Sequence, residues 1–220
     1  VFFSTISVYG PSQGIILDER SRTRPETIYG QTKREAEEIV LNARNIDDES
    51  IGTVLRLAAV YGSGIKGNYQ RLLKALKRGY FIPIGRGENR RTLIYEKDLA
   101  RAAIIALEHP ASVSNIFNVT DGGYHSLNEI IRAMCNALGR RPPMISLPAA
   151  PVCFFMDCLE QLSVLSGFNS FTGAVALRKY MEDTAVDGTL IQTKLGFRPR
   201  FDLATGWQNT LKEMKVAGSL

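Results

Sequence analysis

Thr53-Val-Leu-Arg-Leu-Ala-Ala-Val-Tyr61, closed by Gly62-Ser63-Gly64, reads as a buried strand ending in a turn. Its counterpart lies upstream. Val1–Val8 has the same strand character, ends in polar Ser and Thr, and turns at Tyr9-Gly10-Pro11. A polar loop to Thr27 then leads into Ile28–Arg44, where Ala36, Ile39, Val40 and Ala43 recur at helical spacing among Lys, Glu and Gln. Strand, helix, strand over this distance is a βαβ unit, which requires a parallel sheet.

Downstream the pattern becomes more helical. Asn68–Lys77 is a short helix with Leu72, Leu73 and Leu76 on one face, and Phe81–Gly85 is a short extended piece. Arg91–Tyr95 is a strand, Lys97–Glu108 a helix stopped at His109-Pro110, and Asn115–Val119 a buried strand. Ser126–Leu138 is a helix with Ser126 and Glu129 in capping-box spacing and Gly139 as its C-terminal cap. Further helices are expected over Pro151–Leu165, Thr172–Met181 and Leu203–Lys215. The fold class is α/β: the C-terminal part of a doubly wound parallel sheet, then a smaller α-rich lobe. Residues 1–62 belong to the first and 63–220 mainly to the second, with segments around 88–120 returning to the sheet.

Composition narrows the class. The 220 residues are 45% hydrophobic and 22% charged, as expected for a globular chain. The 27 Lys and Arg against 22 Asp and Glu leave a net charge of +5. The cations are interspersed with acids, so an anionic small ligand suits the excess and nucleic acid is not expected. Cys135, Cys153 and Cys158 are too few and too irregular for a disulfide framework, which points to a reducing, cytoplasmic setting. No paired Cys or His spacing suggests a metal, and no apolar run is long enough for a membrane span. The start, Val1-Phe2-Phe3-Ser4-Thr5, lacks a signal peptide's basic region and reads as the middle of a strand.

Tyr29-Gly-Gln-Thr-Lys33 carries the chemistry. Four residues make about one helical turn, so both side chains project from one face. A lysine beside a phenol favours the phenolate and equips Tyr29 as a general acid or base. Ligands of parallel sheets sit at the carboxyl ends of the strands. The hydroxyl of Thr5, where the first strand ends, could therefore bind the oxygen that Tyr29 protonates. The competing reading is that Ser4, Thr5 and Ser7 satisfy backbone groups there, and that Tyr29 packs on the Lys33 stem.

In order along the chain, Phe-Ser-Thr-x-x-Val-Tyr-Gly, Tyr29–Lys33, Leu55-Arg56…Val60-Tyr61-Gly62 and Arg91…Asp98-Leu99-Ala100 resemble the extended short-chain dehydrogenase/reductases, which have a Rossmann-like fold. Lys66-Gly67-Asn68-Tyr69, Ile82-Pro83-Ile84-Gly85 and Asn89-Arg90-Arg91 look most like UDP-hexose 4-epimerases and UDP-hexulose 4-reductases, as does the closing Lys194–Pro199. The resemblance implies an NAD- or NADP-dependent enzyme acting at C4 of a UDP-sugar. It implies Tyr29 as acid/base, Lys33 on the nicotinamide ribose, and Thr5 as the second hydroxyl on the reacting oxygen. Phe3, Ser4, Leu57 and Ala58 would border the cofactor. Asn68 and Arg91 would meet the diphosphate, with Ile82, Pro83 and Ile84 flanking the uracil. The alternative for Asn68 is a helix N-cap, and for Arg91 a surface strand charge.

Two departures qualify this. Ala59 stands where many epimerases carry an Asn that touches the sugar, which favours a reductase-like member. No Gly-rich dinucleotide turn follows a strand anywhere. Roughly a hundred residues, the first mononucleotide-binding half, are expected to be missing. The chain alone could then be a non-catalytic nucleotide-sugar-binding module. A reductase of a non-nucleotide carbonyl is the other alternative, with Asn68 and Arg91 arguing against it. An open sheet edge should drive the chain to dimerise or aggregate, and a homodimer is expected.

Overall fold

The computed structural model describes residues 1–12, 14–165, 177 and 180–218. Three strands form the main sheet in the order β1 (Phe2–Thr5), β2 (Thr53–Leu57), β6 (Asn115–Val119). All pair in parallel, with Ser4 opposite Arg56 and Arg56 opposite Asn118. The crossover between β1 and β2 is α1 (Ile28–Leu41), as the βαβ reading requires. β1 lies at the sheet edge, and among the described residues no strand pairs with its outer side. Val1 and Phe3 are half exposed there.

The long strand expected over Thr53–Tyr61 is two strands. After Leu57 the chain changes sheet. Ala58 N–H still donates to Val119 O, but Ala59 N–H donates to Thr92 O. β3 (Ala59–Tyr61) then pairs in parallel with β5 (Leu93–Tyr95). Between them come α2 (Asn68–Arg78) and β4 (Arg90–Arg91). The expected strand Arg91–Tyr95 is thus also divided, because β4 pairs antiparallel with β7 (His125–Ser126) instead. Residues Ile6–Val8, read as strand, form a 3-10 turn capped by the Thr5 side chain.

The remaining helices are α3 (Glu96–Glu108), α4 (Leu127–Leu138), α5 (Ala149–Leu165), α6 (Thr189–Leu195) and α7 (Leu203–Val216). The helix expected over Thr172–Met181 falls mostly outside the described residues, and α6 had no counterpart in the sequence reading. Ser126 and Glu129 form the full capping box, and Gly139 caps α4 in the left-handed conformation.

A small cluster of Val8, Tyr9, Leu17 and Val186 and two larger apolar cores form among the described residues. One lies on the main sheet, where Leu55 and Phe117 meet Ala102 and Ala106 of α3 and Ile191 and Leu195 of α6. The other joins α2, α4 and α7 around Tyr61, Tyr95, Leu73, Met134 and Trp207. Trp207 stacks on Tyr61 with ring centroids 4.8 Å apart. Gly206 permits this closeness, since a Cβ there would run into the Tyr61 hydroxyl.

Candidate active site

The opposite face of the main sheet carries a polar row next to Phe2, Val54 and Ile116. Ser4, Arg56 and Asn118 stand side by side across β1, β2 and β6, all nearly inaccessible. Glu37 of α1 lies over them, fully buried, and takes a forked pair of hydrogen bonds from Arg56 at 2.9 and 2.7 Å. Ser4 Oγ donates to the same carboxylate. The Arg56 guanidinium also lies 4.7 Å from the Tyr9 ring, and the Tyr9 hydroxyl donates to Asn118 Oδ1 at 2.8 Å. Burial pushes the Tyr9 phenol up, with Arg56 pulling against it. A forked, charge-assisted pair is directional, so it sets where α1 sits on the sheet.

That position decides what the other end of α1 reaches. Tyr29, Lys33 and Glu37 recur every fourth residue and share a face. Lys33 Nζ donates to Phe3 O at 2.7 Å and lies 5.9 Å from the Tyr29 ring centroid. The helix begins at Thr27, whose hydroxyl accepts from Gly30 N–H at 3.0 Å. Gly30 is required by contact: a Cβ would come within 2.9 Å of Ser7 O and of Pro25. The helix start therefore rests on the turn that follows β1. Tyr29 is 57% exposed at this junction.

A cavity of about 320 Å³ opens at the carboxyl ends of β1 and β2, and Thr27 at the helix start lines it whereas Tyr29 and Lys33 do not. Thr5, Leu57, Ala58 and Asn68 all line it, so four sequence-predicted positions meet in one place. Thr5 Oγ1 accepts from Ser7 N–H at 3.2 Å, so its backbone role and its place in the cavity coexist. The N-cap of α2 is Gly67, not Asn68, and it makes no side-chain cap. Asn68 is the first helical residue, and its side chain is not used as the cap.

The remaining candidates gather elsewhere. Ser4 turns away from the cavity into Glu37. Pro83 and Ile84 form a small ladder with Leu147, through Leu147 N–H to Pro83 O and Gly85 N–H to Leu147 O, both 2.9 Å. Ile82 precedes it, half exposed. Arg91 donates to Tyr180 O at 2.7 Å. Burial raises the Tyr69 and Tyr180 phenols, and the Arg91 charge pulls both back. Ile84 N–H also acts on the Tyr180 phenol. Tyr180 thus brings Ile84 and Arg91, 7 residues apart in sequence, into one neighbourhood.

Segment 180–187 joins the two neighbourhoods. Its start holds Arg91, while Glu182, Thr184, Ala185 and Val186 line the cavity. Thr184 N–H donates to Arg90 O, and Leu17 N–H donates to Ala185 O. The sequence reading missed this strap, and missed Tyr9, Ser12, Glu26 and Thr27 as lining. Only a charged residue inside an apolar strand, Arg56, was visible as a signal of the buried polar row.

The nicotinamide end of a dinucleotide fits these residues: an ammonium at the strand edge, an apolar floor at Leu57 and Ala58, and a cavity beyond. No glycine-rich turn between strand and helix exists among the described residues for a pyrophosphate. No helix among them is long and apolar enough to cross a membrane.

The chain shares sequence and fold with known proteins. The model of the NAD dependent epimerase/dehydratase family matches residues 1–120. A UDP-glucose 4-epimerase of Vibrio cholerae is 27% identical over 224 residues, covering all of this chain and 64% of the relative. An N-acetyl-alpha-D-glucosaminyl-diphospho-ditrans,octacis-undecaprenol 4-epimerase of Escherichia coli O157:H7 is 25% identical over 213 residues, covering 96% and 64%. The chain thus spans 64% of the length of both curated relatives. Among solved structures, MoeE5 in complex with UDP-glucuronic acid and NAD superposes with a TM-score of 0.70 at 24% identity, over 98% of this chain and 64% of that one. Gox2253 does so with a TM-score of 0.78 at 16% identity, over 99% and 66%. At such identities the structures establish the fold.

Proposed function

The chain belongs to the NAD dependent epimerase/dehydratase family, and we propose that it forms the acid/base and sugar-nucleotide part of an enzyme acting at C4 of a UDP-sugar, as an epimerase or a reductase. The observation that carries this reading is the junction of α1 with β1. Tyr29 and Lys33 share a helix face there, Lys33 is fixed on Phe3 O, and Thr5 lines the adjoining cavity. The two curated relatives described above are both 4-epimerases.

In this reading the sugar occupies the cavity with its C4 oxygen between Thr5 Oγ1 and the Tyr29 hydroxyl. Tyr29 takes the C4 hydroxyl proton when a ketone forms and returns it when the ketone is reduced. Thr5 holds the same oxygen by a hydrogen bond, which keeps one lone pair directed at Tyr29. The Lys33 ammonium favours the phenolate that takes this proton and that is regenerated when the proton is returned. NAD or NADP, when bound, supplies the hydride acceptor and donor; Lys33, Phe3, Leu57 and Ala58 would border its nicotinamide end. Asn68 and the uncapped start of α2 face the diphosphate, and Arg91 and Tyr69 hold its far side. The ladder at Pro83 and Ile84 flanks the base.

Calorimetric titration of the chain with UDP tests the binding half. Arg91→Ala should weaken UDP binding about tenfold or more, and unchanged affinity removes Arg91 from the site. For the chemical half, Tyr29→Phe in the parent enzyme should abolish turnover and leave UDP affinity within about twofold. Surviving turnover rules out Tyr29 as the acid/base.

A further inference from the structure

We infer that the rim formed by the ends of α2 and α4 and the start of α5 is a docking surface for an anionic lipid bilayer. Its composition is one-sided. Between Glu49 and Glu88 the sequence has seven Lys and Arg and no acid, and between Glu129 and Asp157 it has three and none. Arg71, Lys74, Lys77 and Arg78 are all exposed on the outer face of α2, while Leu72, Leu73 and Leu76 are buried on its inner face. Pro142–Met156 carries no charge at all. Met144, Ile145, Phe154 and Phe155 of that stretch nonetheless face water, with Met144 95% exposed and Phe154 72%.

The fold brings the basic and apolar parts together. Arg140 follows the Gly139 cap of α4 and reaches the end of α2, where a Cβ on Gly79 would lie 3.1 Å from its guanidinium. The segments leaving the two helices then pair through Ile84 and Leu147, and Ala149 at the start of α5 lies against Gly85. Of the bordering acids, Glu88 is 4.0 Å from Arg86, and Glu129 closes the capping box at the far end of α4. Asp157 follows the apolar stretch on α5. Glu213 of α7, which packs on α4, pairs with Lys97.

No helix among the described residues is long and apolar enough to span a bilayer, so the contact is with its surface. Lys and Arg would meet anionic headgroups while the exposed Phe and Met side chains enter the boundary with the acyl chains. A protein partner fits less well, because lysine is depleted where proteins meet. A second copy related by a twofold axis would set this patch against itself, and its cations against like charges.

The full chain is floated through a density gradient with vesicles of phosphatidylcholine, alone or mixed with phosphatidylglycerol. Bound protein rises with the vesicles, whereas aggregate sinks. The expected result is binding at least about tenfold stronger to the anionic vesicles at low salt, weakening as salt rises. The double variant Phe154→Ser, Phe155→Ser should weaken that binding about tenfold or more with its melting curve unchanged. Lys74→Gln with Lys77→Gln should weaken it by about tenfold and reduce the preference for anionic lipid. Failure to float with anionic vesicles overturns the inference, as does equal binding to both vesicle types. Undiminished binding by the folded phenylalanine variant also overturns it. A dimer that the phenylalanine variant abolishes, with no vesicle binding by either form, assigns the surface to a second copy instead.

Discussion

The face of the main sheet under α1 and the core between α2, α4 and α7 are equally buried but held together differently. Under α1 the contact is ionic and directional: Glu37 forked onto Arg56, with Ser4 on the same carboxylate. Between α2, α4 and α7 it is apolar and aromatic, centred on Trp207, Tyr61, Tyr95 and Met134. Apolar packing rewards any close fit, whereas a forked ion pair rewards one placement. The ionic region is the one that carries Tyr29 and Lys33. Under the proposed acid/base role of Tyr29, a contact that fixes register is more useful than one that only adds stability.

The largest expected effect is on the apolar side. Trp207→Ala should destabilise the chain by about 4 kcal/mol in denaturant unfolding, because it removes a fully buried ring from the second core. Removing its neighbour Tyr61 as well should not restore the loss. The ionic side should behave in the opposite way. Glu37→Leu should cost about 3 kcal/mol by leaving Arg56 buried and unpaired, and adding Arg56→Met should recover most of it. If the double variant is no more stable than Glu37→Leu, the two residues do not act as a pair, and the contrast between the regions is lost.

Gly30→Ala comes next, at about 2 kcal/mol, because the new methyl would press on Ser7 O and Pro25. In the parent enzyme it should lower turnover more than UDP affinity, since it lifts the start of α1 and leaves Arg91 and Asn68 in place. Equal losses in both would mean that the helix start does not position Tyr29.

The smallest effect is electrostatic. Burial opposes the charged form of His125, but its hydrogen bond and attraction to Asp121, 2.7 Å away, leave its pKa raised. The folded state therefore binds the proton more tightly than the unfolded one. The resulting stabilisation is fully present below about pH 6.5 and is lost as pH rises through the folded value. Melting curves across this range should show the unmodified chain losing stability relative to His125→Asn as pH rises. A parallel pair of curves would show that the contact does not depend on charge.

Much of the fold was legible because local rules decide it. The βαβ unit, the capping box at Ser126 and Glu129, and the left-handed Gly139 each follow from residues close in sequence. The division of Thr53–Tyr61 was not legible. Both halves are extended and apolar, and nothing in their alternation records that Ala58 bonds to Val119 while Ala59 bonds to Thr92. The site divides in the same way. Tyr29 and Lys33 declare themselves by helical spacing, whereas Ser4 could not be separated from Thr5 until the pleat sent one hydroxyl to Glu37 and left the other at the cavity.

By itself, then, the sequence determined the parallel architecture, the helix that carries Tyr29 and Lys33, and the ordered motifs of the family. These depend on spacing within a single element or crossover. The tertiary structure alone decided that Glu37 and Arg56 pin that helix, that Tyr180 draws Arg91 and Ile84 together, and that the 180–187 strap lines the same cavity as Thr5. Such contacts depend on which strands pair and which faces meet. That outcome is set by burial across the whole chain, and no local stretch of residues encodes it.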